Sequence, residues 1–348
     1  MNTKDEFHIS NFSYELPKEL IAQEPLSERD TSRLLIVDRK HNNIKEIVFK
    51  DVIDLLNEGD LLVLNDTRVI RARIKGVNKN GSKIEILLLK EKESGIWDAL
   101  VNPAKRAKIG EEIIFEEGFR AKILDKTWQG GRVLEFSPKK FSSLLERLGQ
   151  APLPPYIKKD IDDFEKYQTT YASKDGAIAA PTAGFHFTKS LLEKIKAKGV
   201  NITYLTLHCG LATFRPVKSD DIREHKMDFE WFEISEDTAK LVNSTKENGR
   251  RVIAVGTTSI RSLESAAYCD NHKNYRVKSA STETNSYIVP GYKFKIVDAV
   301  ITNFHTPCST NLVLVSSFAG LELTRKAYEY AVKKKFRFFS FGDATFFL

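Results

Sequence analysis

Four of the seven histidines stand in polar blocks, three of them with glycine or proline, where an imidazole can take or give a proton at neutral pH. The first block is Gly176–Phe187 (GAIAAPTAGFHF). Its small residues Ala180, Pro181, Thr182 and Gly184 allow close backbone approach to a flat ring, and Phe185 and Phe187 can stack on that ring or face a cation. A packed core turn around a hydrogen-bonded His186 is the plain alternative. In His208–Pro216 a histidine is followed by Gly210, Thr213, Phe214 and Arg215, a proton carrier with a fixed positive charge nearby. Glu224–Glu230 concentrates His225, Asp228 and Glu230, whose mutual influence can separate an acid from a base; a hydrated loop has the same composition. Thr302–Pro307 sets Asn303 and His305 at the end of an apolar run, with Cys308 beside it as reactive thiol or inert packing.

Two further blocks offer binding groups. Asn65-Asp66-Thr67-Arg68 follows the apolar run Leu61–Leu64; Asp66 and Arg68 either bind substrate or close a turn. Val255–Glu264 passes from an apolar strand through Gly256, Thr257, Thr258 and Ser259 to Arg261. Free N–H groups at that helix start suit a carboxylate or phosphate, while capping explains the hydroxyls equally well.

These blocks need elements to position them. The chain has 348 residues, 41% hydrophobic and 29% charged, which fits a folded protein of about two domains. No apolar run is long enough to span a membrane, and MNTKDEFHIS has no signal-like apolar core, so a cytoplasmic location is expected. Three scattered cysteines and no CxxC pair argue against a disulfide framework or a metal site. Walker, GxGxxG, GxSxG, HExxH and EF-hand signatures are all missing, which removes the usual ATPase, dehydrogenase and hydrolase readings.

Six short strand-like segments, Val69–Gly76, Lys83–Lys90, Trp97–Val101, Glu111–Phe115, Arg120–Leu124 and Arg132–Phe136, lie among turn signals and predict a small β-barrel. The stretch from Val69 to Gln150 holds 17 Lys and Arg against 11 Asp and Glu, +6 of the chain's net +7. After a predicted helix at Lys139–Leu148 and the stiff link Ala151–Tyr156, helical and strand patterns alternate: helices at Lys189–Lys198, Glu236–Asn248, Thr258–Tyr268 and Leu312–Ala319, strands at Ile202–Leu207, Val252–Gly256 and Phe294–Thr302. A strand at Leu34–Asp38 and a helix at Asp51–Glu58 precede the barrel. The expected fold is therefore α/β: a discontinuous α/β domain (1–68 and 151–348) with an inserted small six-stranded antiparallel β-barrel (69–150).

The order and spacing of the blocks, together with Tyr14-Glu15-Leu16-Pro17, Ile21-Ala22-Gln23, Ser32-Arg33-Leu34, Ala151–Ile157, Tyr167-Gln168-Thr169, Pro290–Lys295 and Arg337–Ala344, resemble the S-adenosylmethionine:tRNA ribosyltransferase-isomerases of queuosine biosynthesis. The resemblance runs from Tyr14 to Leu348. It implies the same barrel-bearing fold and an enzyme that moves and isomerises the ribosyl moiety of S-adenosylmethionine onto 7-aminomethyl-7-deazaguanine at the tRNA wobble position. The product is epoxyqueuosine, with adenine and methionine released. S-Adenosylmethionine is then a consumed cosubstrate, no metal is expected, the partner is tRNA, and a monomer is expected. On this likeness Ala179–Gly184 with Phe185 and Phe187 holds the adenosyl part, Val255–Ser259 and Arg261 receive the methionine end, and His186, His208, His225, Glu230 and His305 are the proton-transfer candidates. Asp228 stands where the family usually has histidine, Ala212 where it has glycine, Cys209 valine, Cys308 lysine and Arg71 proline. These departures keep two rivals open: a paralogue that passes the pentosyl group to a non-tRNA amine, and a non-catalytic tRNA-binding protein.

Overall fold

Apolar runs without alternation bury both faces, and here they form the middle of one sheet. The computed structural model describes residues 6–127, 130–139, 141–159, 161–210 and 216–348. Its first strands are β1 (Arg33–Asp38), β2 (Asn43–Val48), β3 (Leu61–Asn65) and β4 (Thr67–Val69). Next, β5 (Arg73–Asn78), β6 (Lys83–Glu93), β7 (Ile96–Asn102), β8 (Glu112–Ile114), β9 (Arg120–Lys126) and β10 (Arg132–Ser137) close into an antiparallel barrel in the order β10-β7-β6-β5-β8-β9. Ile74, Ile86, Leu88, Ile113, Ile123 and Leu134 fill it, and helix α1 (Ser142–Leu148) adds Leu144 to the same core.

The chain then returns to the larger layer through β11 (Lys174–Ala177), α2 (Lys189–Ala197), β12 (Asn201–Leu207), β13 (Glu230–Ile234), α3 (Glu236–Glu247), β14 (Val252–Val255) and α4 (Thr257–Ser265). It finishes with β15 (Ala267–Cys269), β16 (Tyr275–Val277), β17 (Ala280–Thr284), β18 (Ala299–Asn303), α5 (Thr310–Ala319), α6 (Leu321–Lys333) and β19 (Ala344–Phe347). Nine strands make the main sheet, ordered β17-β13-β12-β3-β14-β18-β19-β1-β2. At its centre β12, β3, β14 and β18 are parallel, so their carboxyl ends emerge together. Leu61 and Val63 of β3 pack on the side of α3 to α6, while Leu62 and Leu64 pack on the side of α2 and the Phe49–Leu55 turn. Each such leucine contributes about 2 kcal/mol of burial.

Several elements differ from the sequence expectation, each for a local reason. The first barrel strand begins at Arg73 and not Val69, because Gln168 accepts the Val69 N–H at 3.0 Å and donates to its carbonyl at 2.9 Å, leaving β4 to pair with β11. The helix expected at Asp51–Glu58 is a 3-10 helix, Phe49–Leu55, whose buried Phe49 and Val52 match a three-residue turn. The strand expected from Phe294 begins only at Ala299: the Lys295, Ile296 and Val297 N–H groups all donate to the buried Glu264 carboxylate at 3.0–3.1 Å. Helix α4 stops at Ser265, where β15 opens a hairpin with β16. Antiparallel strands β2, β13, β17 and β19, none of them expected, extend and complete the sheet.

Candidate active site

Where parallel strands end, backbone groups are left unpaired and loops carry ligands. Here a cleft of about 590 Å³, open to solvent, lies over the ends of β14 and β18. Ala180–Ala183, Gly256–Thr258 and Thr302–Thr306 line it, with Tyr156, Cys209, Asn311, Phe339 and Ser340. Gly256 turns the chain from β14 into α4 at φ 86°, a left-handed conformation costly for a side chain, and a Cβ there would sit 3.5 Å from the Ala183 Cβ.

Two buried asparagines hold the strand ends. Asn65 donates to the Leu207 carbonyl (3.0 Å) and Thr258 Oγ1 (3.2 Å), and its Oδ1 accepts from the Leu207 and Thr67 N–H groups, tying β3 to β12 and α4. Asn303 accepts from Thr182 Oγ1 at 3.1 Å and donates to the Phe339 carbonyl at 3.1 Å. Its amide also lies 3.2 Å from His186 Nε2, so that nitrogen accepts and the ring proton sits on Nδ1, 2.8 Å from Ser32 Oγ. Burial pushes His186 down to about 3, helped by the Arg29 cation, and the ring stacks on Phe49 at 4.8 Å. It is a neutral strut behind the cleft wall. His305 lies on the wall itself, with Nε2 3.1 Å from Thr302 Oγ1, and burial pushes it down to about 3. Tyr14 donates to its carbonyl at 2.6 Å and its N–H donates to Tyr328, so the backbone is clamped from both sides.

A second polar centre adjoins Cys209, whose thiol is pushed up by burial and then by the Glu230 charge. The buried Glu230 carboxylate accepts the Gly210 N–H at 2.6 Å and pairs with the buried Arg261 guanidinium. Arg261 Nε donates to the Ser286 carbonyl at 3.0 Å, leaving Nη2 buried without a partner. This pair ties β13 to α4. Among the described residues no group of three or more His, Cys, Asp or Glu is placed to hold a metal ion, and no helix is long and apolar enough to cross a membrane.

Residues 9–347 match the profile of the queuosine biosynthesis protein family. The chain belongs to that family. It is 51% identical over 343 residues to the S-adenosylmethionine:tRNA ribosyltransferase-isomerase of Halothermothrix orenii, covering 98% of this chain and 99% of the relative. The crystal structure of S-adenosylmethionine tRNA ribosyltransferase from Thermotoga maritima matches with a TM-score of 0.55 at 37% identity, covering 97% of this chain and 100% of that one.

The family blocks do not all reach the cleft. Ala180, Pro181, Thr182, Gly256, Thr257, Thr258, Asn303 and His305 line it. Phe185 and Phe187, expected to stack on a ligand, are core residues: Phe187 meets Phe49 edge-on at 5.0 Å, and Phe185 packs against Tyr167 and Phe341 beneath Arg29. Arg261, expected to receive a carboxylate, already carries the Glu230 carboxylate. Gly184 has a packing reason, since a Cβ there would fall 2.0 Å from the Tyr171 hydroxyl, and Ser259 donates to the Val255 carbonyl. Asp66 accepts from Thr206 and Ser173, and Arg68 pairs with Glu165; both latch loops together. His208 stacks on Trp231 at 4.9 Å with Nδ1 2.8 Å from Thr67 Oγ1, away from the cleft lining, and burial lowers it. His225 meets Tyr287 edge-on at 5.2 Å and is lowered by burial, with Asp228 opposing. Thr213, Phe214 and Arg215, like Ala212, lie outside the described residues.

Sequence reasoning missed Tyr156, Asn311, Phe339 and Ser340 as cleft residues, and named Thr302 and Thr306 only as members of the Thr302–Pro307 block. Tyr156 and Ser340 sit in two blocks already matched to the family, and their hydroxyls meet at 2.7 Å. Phe339 adopts φ 72°, held by Asn303 on its carbonyl, within a turn that Asp343 pins by accepting the Arg33 and Arg337 N–H groups.

Proposed function

We propose that this chain is an S-adenosylmethionine:tRNA ribosyltransferase-isomerase that moves and isomerises the ribosyl moiety of S-adenosylmethionine onto the exocyclic amine of 7-aminomethyl-7-deazaguanine at the tRNA wobble position, releasing adenine and methionine. One observation carries the reading. The blocks AAPTAG, VGTTS and TNFH, which bear the family likeness, are the ones that line the cleft.

The residues divide the work by chemistry. The small side chains of Ala180 and Ala183 admit a flat base, and the Tyr156 and Phe339 rings offer faces to a sulfonium. Thr257 and Thr258 open α4, whose free N–H groups suit the methionine carboxylate. The reaction requires proton removal beside the sulfonium and hydrogen-bond donation to the departing adenine. His305 stands on the cleft wall and is held unprotonated by burial, so it is assigned to accept rather than donate a hydrogen bond as the cycle begins. His186 acts through Asn303 and Thr182 as a positioning residue.

Mass spectrometry of purified protein with S-adenosylmethionine, with and without tRNA bearing the aminomethyl-deazaguanine, tests the proposal. Adenine, methionine and a matching mass gain on the tRNA are expected together. Adenine release without tRNA modification would move the acceptor to another amine, and tRNA binding without turnover would leave a binding protein.

A further inference from the structure

Phe229 is 62% exposed although it directly precedes the buried Glu230. The other exposed aromatics among the described residues, Tyr268 and Tyr275, belong to the β15–β16 hairpin beyond the far end of α4. Phe229 is instead at the cleft end, because Glu230 begins β13 against Gly210 just past β12. Along β13 the residues Glu230, Phe232 and Ile234 are buried, whereas Trp231 stacks on His208 and Glu233 pairs with Lys174. Phe229 continues the Trp231 and Glu233 set past the strand. The barrel meets this edge of the sheet: Lys90 of β6 lies 2.5 Å from Glu283, the register partner of Trp231. An exposed phenyl ring thus stands where the barrel and the cleft end of the sheet come together. Lys226, three residues away along the chain, forms no ion pair among the described residues.

An enzyme that acts on a base inside an RNA loop must draw that base out of its stack, and single-stranded loops are held by stacking on aromatic rings. Phenylalanine has no polar side-chain atom, so it offers a ring face and apolar contact but no hydrogen bond. We infer that Phe229 is the platform on which an unstacked base of the tRNA anticodon loop rests while the target base reaches the cleft. It is a positioning residue, and the inference rests on the tRNA acceptor proposed above.

Steady-state kinetics with S-adenosylmethionine and tRNA carrying the aminomethyl-deazaguanine test it. Phe229→Ala raises the tRNA KM on the order of ten- to a hundredfold. The KM for S-adenosylmethionine and the thermal midpoint stay at wild-type values. Phe229→Trp restores the tRNA KM; Phe229→Leu, apolar but without a π face, does not. A wild-type tRNA KM in the Ala or Leu variant overturns the inference. So does sedimentation showing that the wild type self-associates through Phe229 and the Ala variant does not. A wild type that never modifies tRNA overturns the acceptor assignment itself, and is seen before any variant is compared.

Discussion

At the scale of single residues, the cleft is a set of neutral groups held in place by burial. His186 illustrates the energetics. An imidazole ordinarily titrates near 6.5, whereas in the fold burial holds this one near 3, so between those values the unfolded chain binds the extra proton. Its contribution is complete above about pH 6.5 and is lost as the pH falls toward 3, amounting to about 2 kcal/mol at pH 5. The thermal midpoint of the wild type is therefore expected to drop between pH 7 and pH 5, and to drop less steeply in His186→Gln. Equal slopes would remove burial of His186 as the cause. Asn303 follows the same logic without titrating: its three hydrogen bonds reach His186, Thr182 and Phe339 from three parts of the chain. Replacing it by Leu leaves those partners unsatisfied, so a loss of about 2–3 kcal/mol in urea unfolding is expected together with a lower kcat.

Between elements, the site depends on joints that carry no chemistry of their own. The Glu230–Arg261 pair joins β13 to α4 inside the protein, and removing one partner strands the other charge. Glu230→Leu and Arg261→Leu are each expected to cost about 3–5 kcal/mol, with the double variant recovering part of that loss. Additive losses in urea unfolding would mean that the two side chains are not coupled. The joints also mark what could be read from the sequence. The central strands were legible because Leu61–Leu64 and Val252–Val255 are uninterrupted apolar runs. The barrel was legible because short alternating segments sit between turn signals. Strands β13 and β17 were not, because Trp231, Glu233 and Glu283 fill exposed or half-buried positions in the outer two strands, which carry no apolar run. Phe185 and Phe187 were misread because a core phenylalanine next to a histidine has the same local signature as a stacking one. The cleft role of Phe339 and Ser340 depends on a turn pinned by Asp343, a contact between distant segments that local pattern does not display.

Across the whole molecule, an α/β layer carries the cleft and an inserted barrel carries most of the net charge. On the barrel, Lys105, Lys108 and Lys126 line a groove of about 720 Å³ with the exposed Ile109, none of them in an ion pair among the described residues. Arg132 builds the groove by donating to the Ala104, Ala107 and Gly131 carbonyls at 2.7–2.9 Å, so its charge is spent on the loop while the lysines stay free for phosphates. Each Lys→Ala change is expected to weaken tRNA binding and lower the slope of log affinity against log salt by roughly 0.7–0.9, with S-adenosylmethionine affinity unchanged. An unaltered slope would place the phosphates elsewhere. On the proposed function, the cleft at the strand ends receives S-adenosylmethionine. Asn311, at the start of α5 and only partly buried, lines that cleft without a side-chain hydrogen bond among the described residues, so Asn311→Phe fills the space with little expected cost to the fold. Calorimetric titration of S-adenosylmethionine into the wild type and this variant is the most direct test. A measurable Kd is expected for the wild type, with at least about a hundredfold weakening in the variant at an unchanged thermal midpoint; equal affinity in the two proteins would put S-adenosylmethionine elsewhere.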